Sequence, residues 1–281
     1  MEKQEFETVI KPDNGWFELH LKELVRYRDL VFLFVRRNFT AHYKQTILGP
    51  AWAVIQPLLT TVIFTVVFGN LAGLTPSGVP PFLFYLCGNI VWQYFASCIT
   101  GTASTFTANS AILGKVYFPR LVMPISTVLS QLIAFAIQLV LFLAFWAYYL
   151  IVPSGVRPNV LLLLLPLFVL QLAMLGLGFG IIIASCTTKY RDLAMLVGFG
   201  VQLWMYATPV AYDVGFIPER LLPYYMLNPV TPVVTAMRYA FLGVGTFELR
   251  YYLIGWAVTL AVLFVGVVLF SRVEKTFMDT V

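Results

Sequence analysis

The chain has 281 residues, of which 60% are hydrophobic and only 11% are charged, and its mean hydropathy is +0.84. Soluble domains carry roughly 25% charged residues, so this composition excludes an ordinary water-soluble domain and indicates an integral membrane protein. The formal net charge of +5 decides less, because in a membrane protein the positions of the basic residues set the orientation.

The first fifty residues are too charged to cross a membrane. Residues 1–15 are polar and acidic without an apolar core, so we expect a flexible tail, no cleavable signal peptide and a cytoplasmic N-terminus. Residues 16–50 are helical in character, with basic groups on one face and apolar groups elsewhere. This pattern predicts an amphipathic helix in the membrane interface; a soluble helix that precedes a span is the alternative.

Six apolar runs follow, each near the ~20 residues that a membrane-crossing helix needs. They lie at residues 51–71, 82–102, 125–152, 160–184, 193–212 and 252–270. We therefore expect an all-α integral membrane protein with six transmembrane helices, forming one transmembrane domain over 51–275. With the N-terminus inside, fourteen of the 18 Lys and Arg fall in inner segments. This positive-inside bias predicts that both termini are cytoplasmic.

Two connections between the predicted spans are unusual. The cytoplasmic stretch 103–123 is long enough for a short helix ending before Pro119, which a partner protein could grip; an ordinary interfacial loop is the alternative. The outer segment 213–251 contains two apolar pieces, 221–227 and 230–242, that are too short to cross. We expect re-entrant helices there, before the last span, or else a cap that lies on the outer surface.

Several kinds of chemistry are missing from the sequence. No G-x-x-x-x-G-K-[ST] phosphate loop occurs, so the chain is expected to hold no ATPase site and no cofactor of its own. The six predicted spans contain no Asp, Glu, Lys, Arg or His, which argues against an ion-coupled transporter and a charge-selective channel. The three cysteines and two histidines are scattered and indicate no metal site. Energy for uphill transport would have to come from another chain.

The first two predicted spans are rich in aromatic and hydroxyl side chains. Aromatic rings stack on the apolar faces of sugar rings and carry no fixed charge, so they could line a path for a long glycan. For each ring, a role as an interface anchor or a lipid-facing side chain is the alternative. The candidates for the translocation lining are Trp52, Phe64, Phe68, Tyr85 and Trp92.

Two separated motifs resemble those of one protein family. The start of the first span, RYRDLVFLFVRRNFTAHYKQTILGPAWAVIQPL, is similar to permease subunits of type-2 ABC exporters, in the branch that exports O-antigen, capsule and teichoic acid polysaccharides. The outer segment TPVAYDVGFIPERLLPYYMLNPVTPVVTAMRYAFLG resembles the same family at its re-entrant helices, and Tyr190-Arg191-Asp192 fits as well. The resemblance covers about residues 16–275.

The resemblance implies a permease that moves undecaprenyl-linked polysaccharide from the cytoplasm across the bacterial inner membrane. It implies a homodimer with two copies of a separate ABC ATPase subunit, which binds the ATP and Mg. The other expected neighbours are membrane lipids, and no nucleic acid is expected. A drug or small-lipid exporter of the same superfamily is one alternative, and a membrane scaffold without a transport role is another.

The resemblance also suggests which residues contact the substrate at the cytoplasmic interface. Arg36, Arg37 and Lys44 lie where the pyrophosphate of the substrate lipid would enter, and cations would hold that phosphate. Anchoring of phospholipid headgroups by the same three side chains is the alternative. We therefore expect this segment either to capture the substrate or to fix the chain to the membrane surface.

Two further groups of residues are assigned in the same way. Residues 109–118 are expected to seat in a groove of the ATPase subunit. The residues assigned to this coupling are Asn109, Leu113, Lys115, Tyr117 and Phe118. The outer gate is assigned to Tyr225, Asn228 and Arg238, with the alternative that Arg238 stabilises the re-entrant fold.

Overall fold

The computed structural model describes residues 25–44, 46–76, 78–113, 115–116, 118–187 and 192–276, with only the backbone for Leu113, Ala194 and residues 272–276. The expected tail, the predicted interfacial segment before residue 25, Tyr117 and the first two residues of the Tyr190-Arg191-Asp192 match lie outside these ranges. All regular structure in the described residues is helical, which confirms the predicted all-α class.

The α-helices of the described ranges are numbered here in chain order. They are α1 Arg28–Tyr43, α2 Trp52–Phe64, α3 Pro81–Ala103, α4 Thr105–Ala108, α5 Ser110–Leu113, α6 Val122–Ile151, α7 Leu165–Thr187, α8 Leu193–Tyr206, α9 Leu222–Leu227, α10 Thr231–Leu242 and α11 Leu249–Thr276. Some of these helices adjoin segments wound more tightly (3₁₀) or more widely (π) than an α-helix. The 3₁₀ segments are Gly49–Ala51, Val160–Leu164 and Val214–Phe216, and a π-helical stretch is Thr65–Leu71.

Within the described residues, five helical stretches are long and apolar enough to cross a membrane, judged by length and composition. They are Gly49–Leu71, Pro81–Ala103, Val122–Ile151, Val160–Thr187 and Leu249–Ser271. Each lies within a few residues of a run predicted from the sequence. Around 20 apolar residues satisfy all their backbone hydrogen bonds in lipid only as a helix, which explains the agreement.

The run predicted as the fifth span, 193–212, differs from the other five. Its helix α8 has 14 residues, a length of roughly 21 Å at 1.5 Å per residue, which is shorter than the ~30 Å hydrocarbon core. Turns follow over 207–212. Pro209 lacks a backbone N–H and disfavours helical geometry at Thr208, so the helix ends before it. The predicted count of six spans is therefore not confirmed.

Helix α3 is the centre of the bundle. Within its most apolar window 78% of the residues are buried, against 22–28% for the other four long helices. Helices α2, α6, α7, α8 and α10 all pack on it, and α7 packs in turn on α11. A side chain that is polar or aromatic on α3 is therefore held by neighbours of the same chain, whereas on α2 and α8 many side chains stay exposed.

Glycines on α7 allow the close packing of α3 and α11 against it. A Cβ added at Gly180 would lie 2.4 Å from the Cβ of Thr102 on α3. A Cβ added at Gly178 would lie 3.0 Å from the Cα of Leu263 on α11. Small residues let backbones approach this closely, and helix association in membranes depends on such van der Waals packing. Helix α7 therefore joins the centre of the bundle to its last helix.

The long helices run between two ends of the bundle, which we name by their shorter helices. At the α1 end, Phe34 of α1 packs against Phe118 just before α6, with ring centroids 5.7 Å apart. At the α10 end, the last carbonyls of α10 accept hydrogen bonds from α6 and from the segment between α6 and α7. These bonds are Trp146 Nε1 to Phe241 O at 2.8 Å, Arg157 N to Leu242 O at 3.1 Å, Asn159 N to Ala240 O at 3.0 Å and Asn159 Nδ2 to Tyr239 O at 2.9 Å.

Candidate functional site

Arg238 holds the irregular backbone that follows α8. Its side chain is only 2% exposed, and its guanidinium donates to the carbonyl oxygens of Pro209 at 2.6 Å, Val210 at 2.6 Å and Tyr212 at 3.2 Å. These carbonyls have left the helical hydrogen-bond pattern and need another donor. A planar fork with five N–H groups can serve several acceptors at once, which an ammonium group does less well.

Two residues of α3 make room for this guanidinium. The ring of Phe84 lies under it, with 3.7 Å between the guanidinium carbon and the ring centroid. Gly88 lies one turn further, and a Cβ there would be 2.4 Å from Arg238 Nη2. The cation is therefore stabilised by a ring face and by carbonyl dipoles, and no carboxylate of the described residues is hydrogen-bonded to it. We name Phe84, Gly88, Arg238 and carbonyls 209, 210 and 212 the arginine clamp.

Asn228 links the end of α8 to the start of α10. Its Oδ1 accepts from Trp204 Nε1 at 3.2 Å and from the backbone N–H of Val230 at 3.2 Å. Its Nδ2 donates to Thr208 Oγ1 at 2.9 Å. One side-chain amide thus fixes the turn between α9 and α10 to the turn that ends α8.

The predicted outer-gate residues do not share one site. Tyr225 and Asn228 line the same cavity of about 320 Å³, together with Trp204 and the exposed ring of Tyr224. Arg238 is not among its lining residues and is held in the arginine clamp. The contacts of Arg238 suit the alternative role considered for it, which is to support the fold. The gating role of Tyr225 and Asn228 stays a prediction.

The five residues predicted to line the pathway lie in different surroundings. Trp52 is 47% exposed at the start of α2. Phe64 and Tyr85 are buried and pack edge to face with ring centroids 6.2 Å apart, and the half-buried Phe68 packs on Phe64 at 5.2 Å. Trp92 is buried against Trp204. Within one copy of the chain, four of these rings belong to the core and one faces outward.

Two amide side chains that the sequence reasoning passed over are exposed on apolar helices. Gln56 on α2 and Gln202 on α8 are both exposed. Gln202 shares a helix face with Phe199 and Tyr206, which are 61% and 49% exposed. A glutamine inside an apolar run is a visible signal in the sequence, but a search for charged groups does not find it.

Arg37 joins α1 to the predicted coupling segment. Its Nη2 donates to Asn109 Oδ1 at 2.6 Å and to Asn38 Oδ1 at 3.1 Å, while Asn109 Nδ2 donates to Thr105 O at 2.8 Å. The guanidinium carbon lies 4.6 Å from the centroid of Phe34. Burial lowers the pKa of Arg37 below its ordinary value, but a guanidinium stays charged at neutral pH.

The remaining residues predicted at this end are distributed over its surface. Arg36 and Lys44 are exposed, whereas Arg37 is half-buried, and their contact with a substrate phosphate stays a prediction. Lys115 is exposed, whereas Phe118 is buried against α1. The cytoplasmic stretch 103–123 forms the two short helices α4 and α5, of which only α5 falls within the predicted coupling residues 109–118. Its contact with an ATPase stays a prediction.

Metal and disulfide chemistry find no support in the described residues. No group of three or more His, Cys, Asp or Glu side chains there could hold a metal ion. Cys87 and Cys98 are free and buried, and Cys186 is free and exposed.

The fold and these sites define a multi-pass α-helical membrane protein with a clamped irregular segment at one end and a basic helix at the other. Comparison with known families assigns it further. The sequence profile of the ABC-2 type transporter family matches residues 29–242. The chain belongs to this family, which confirms the family resemblance of the two motifs.

Several curated relatives match over most of their length. One is the O-antigen export system permease protein RfbA of Klebsiella pneumoniae, 28% identical over 257 residues, which cover 89% of this chain and 94% of that protein. The protein of the same name from Myxococcus xanthus is 30% identical over 224 residues, 79% of this chain and 83% of that protein. The polysialic acid transport protein KpsM of Escherichia coli is 24% identical over 258 residues, 87% of this chain and 93% of that protein.

Proposed function

We propose that the chain is the permease subunit of an ATP-driven exporter that moves undecaprenyl-linked polysaccharide from the cytoplasm across the bacterial inner membrane. Family membership supports the permease role, and the names of the relatives support O-antigen or capsule polysaccharide as the substrate class. ATP and Mg would bind to a separate subunit, because this sequence has no phosphate-binding loop.

The exposed faces of α2 and α8 are the observation that carries this proposal. Trp52 and Gln56 are exposed one turn apart on α2, and Phe199, Gln202 and Tyr206 recur at helical spacing on α8. A primary amide without a hydrogen-bond partner in lipid costs about 2 kcal/mol or more. A face that combines amides with aromatic rings instead suits hydroxyl groups and the apolar faces of sugars. A homodimer that encloses these faces would give an uncharged path for a glycan.

The orientation follows from the charges. The α1 end bears the exposed cations Arg36, Lys44 and Lys115, and we infer that it faces the cytoplasm with both termini. The α10 end then faces outward. The turns after α8 complete a fifth crossing of six, because Thr208 to Ala211 are buried and the arginine clamp satisfies the carbonyls of Pro209 and Val210. Helices α9 and α10 form the re-entrant segment.

We propose that coupling to the ATPase lies in residues 109–118, which include α5 and Lys115. The hydrogen bond between Arg37 and Asn109 connects this segment to α1, so movement of the ATPase would be transmitted to the basic interfacial helix. Charge reversal by Lys115→Glu is therefore expected to abolish export while the permease and ATPase still assemble and hydrolyse ATP. Arg250→Glu is the matched control, because Arg250 is an exposed cation at the opposite end.

The test is a deletion in the native bacterium, complemented with the wild type, Lys115→Glu or Arg250→Glu. Glycan is measured separately at the cell surface and inside the cell. We expect the deletion to remove surface glycan and to accumulate lipid-linked polymer inside, with rescue by the wild type and Arg250→Glu only. Unchanged surface glycan together with new drug sensitivity would contradict the substrate class, and export by Lys115→Glu would contradict the coupling site.

A further inference from the structure

A polar cavity of about 430 Å³ lies at the α1 end, enclosed by α1, the last turn of α3, α4 and the first turns of α6. Its polar lining includes Asn38, His42, Ser104, Asn109, Ser130 and Gln131. It lies apart from the exposed faces of α2 and α8. A hydrophilic cavity at the beginning of a membrane-crossing helix indicates a polar ligand, because burying polar side chains without a partner costs free energy that apolar side chains would not.

Some side chains in the lining have hydrogen-bonding groups that bind no other described residue, and the described lining residues include no acidic side chain. Ser130 donates to Ser126 O at 2.7 Å, so its lone pairs stay free to accept. Gln131 has no hydrogen-bond partner among the described residues, although its side chain is half-buried on a membrane helix. No Asp or Glu among the described residues lines the cavity, so an ammonium group would find no counter-charge from them. The cavity suits an uncharged group rich in hydroxyls.

Two features indicate what such a group would be attached to. The rings of Phe39 and Tyr43 line the cavity with centroids 4.8 Å apart, and ring faces stack on the apolar faces of sugars. Arg37 donates hydrogen bonds to Asn109 and Asn38, which both line the cavity. The guanidinium of Arg37 is therefore a cation in direct contact with the residues that line the cavity. Ligand sites of this size, roughly 300–1,000 Å³, hold one or a few rings.

We propose that this cavity binds the sugar unit that adjoins the phosphate end of the lipid-linked glycan. The inference rests on the proposed function and adds a site at which the exporter distinguishes a lipid that carries sugar from one that does not. Asn109 belongs both to the cavity wall and to the coupling segment, and it accepts from Arg37. Occupancy of the cavity would thus be sensed where the ATPase is expected to bind.

The experiment uses the permease–ATPase complex in phosphatidylcholine vesicles and measures ATP hydrolysis. The added lipids are polyprenyl pyrophosphate carrying one N-acetylhexosamine, and the same lipid without sugar. We expect the sugar-bearing lipid to stimulate at about tenfold lower concentration, a difference of 1.4 kcal/mol. Gln131→Leu should bring the two lipids within about twofold. Gln138→Leu is the matched control, since Gln138 lies two turns along the same helix, outside the cavity, and should keep the preference.

A second measurement reads binding without hydrolysis. Ser104 lines the cavity and is exposed, so Ser104→Cys in a Cys186→Ser background should react with a maleimide. The sugar-bearing lipid should slow this labelling, and the bare lipid should slow it much less. Vesicles of phosphatidylglycerol test the other source of a hydroxyl-rich phosphate. Slowing by phosphatidylglycerol equal to that by the sugar lipid would overturn the inference in favour of a headgroup site.

The outcomes separate this inference from the proposed function. Equal stimulation by both polyprenyl lipids, or a preference that survives Gln131→Leu, overturns the sugar site and leaves the exporter standing. No stimulation by either lipid in an assembled complex that hydrolyses ATP overturns the proposed substrate class and the sugar site with it.

Discussion

The arginine clamp makes a quantitative prediction about stability. Arg238→Ala removes three hydrogen bonds from a charged donor to carbonyls, two of them buried and one partly buried, each worth roughly 1.5–3 kcal/mol. It also removes a cation–π contact, but relieves the desolvation of a buried charge, which offsets part of the loss. We expect the free energy of unfolding to fall by about 3–5 kcal/mol, which is the loss of the three hydrogen bonds less the relieved desolvation of the charge.

The assay is reversible unfolding by SDS titration in detergent micelles. Arg250→Ala is the control, because Arg250 and Glu248 form an exposed ion pair at 2.8 Å at the same end of the bundle. That substitution should change stability by no more than about 0.5 kcal/mol. Arg238→Lys keeps the charge but loses the fork, so it should fall between the wild type and Arg238→Ala.

A double-mutant cycle tests the geometry of the clamp. Gly88→Ala places a methyl group 2.4 Å from Arg238 Nη2, so the guanidinium must shift relative to its carbonyl acceptors. It should destabilise the wild type by about 2 kcal/mol and the Arg238→Ala variant hardly at all, an interaction energy of about 2 kcal/mol. The reasoning is refuted if Gly88→Ala has the same effect in both backgrounds, or if Arg238→Ala is as mild as Arg250→Ala.

Two further predictions concern packing and the Asn228 link. Gly180→Val should destabilise the bundle by about 2–4 kcal/mol through overlap with α3. Gly200→Ala should be nearly neutral in the same titration, because a Cβ there meets no atom of the described residues within 4 Å. Equal effects of the two substitutions would contradict the packing argument. Asn228→Ala should speed hydrogen exchange of the Val230 amide, which donates to Asn228 Oδ1. The exchange rate of the Leu161 amide, which donates to Asn159 Oδ1, should stay unchanged. An unaltered rate for Val230 would show that the hydrogen bond to Asn228 does not protect this amide.

Local signals explain how much of this fold could be predicted. An apolar run of some 20 residues predicts a span wherever it occurs, because lipid permits few other conformations. The run at 193–212 shows the limit of that rule. Hydropathy measures the side chains, but the end of α8 depends on the backbone near Pro209 and on a donor far along the chain.

Long-range contacts explain what could not be predicted at the sites. Arg238 is a single cation in an apolar segment, and its sequence context left both a gate and a structural role open. Its acceptors lie 26 to 29 residues earlier, and no local pattern marks them. Tyr225 and Asn228, by contrast, lie three residues apart and do line one cavity. Gln56 and Gln202 can be seen in the sequence, but they carry no charge. Only their exposure in the folded chain distinguishes them from glutamines buried in the core.

The hydrogen bonds at the end of α10 have a consequence for biogenesis. The donors Trp146 and Asn159 precede their acceptors Phe241 and Tyr239 by 95 and 80 residues. They are therefore synthesised first and have left the ribosome before α10 does. A helix too short to span on its own thus meets a prepared set of donors as it folds inward. Truncated nascent chains that end before α10 should leave those donors open to water, which makes this end of the protein the last to be protected during insertion.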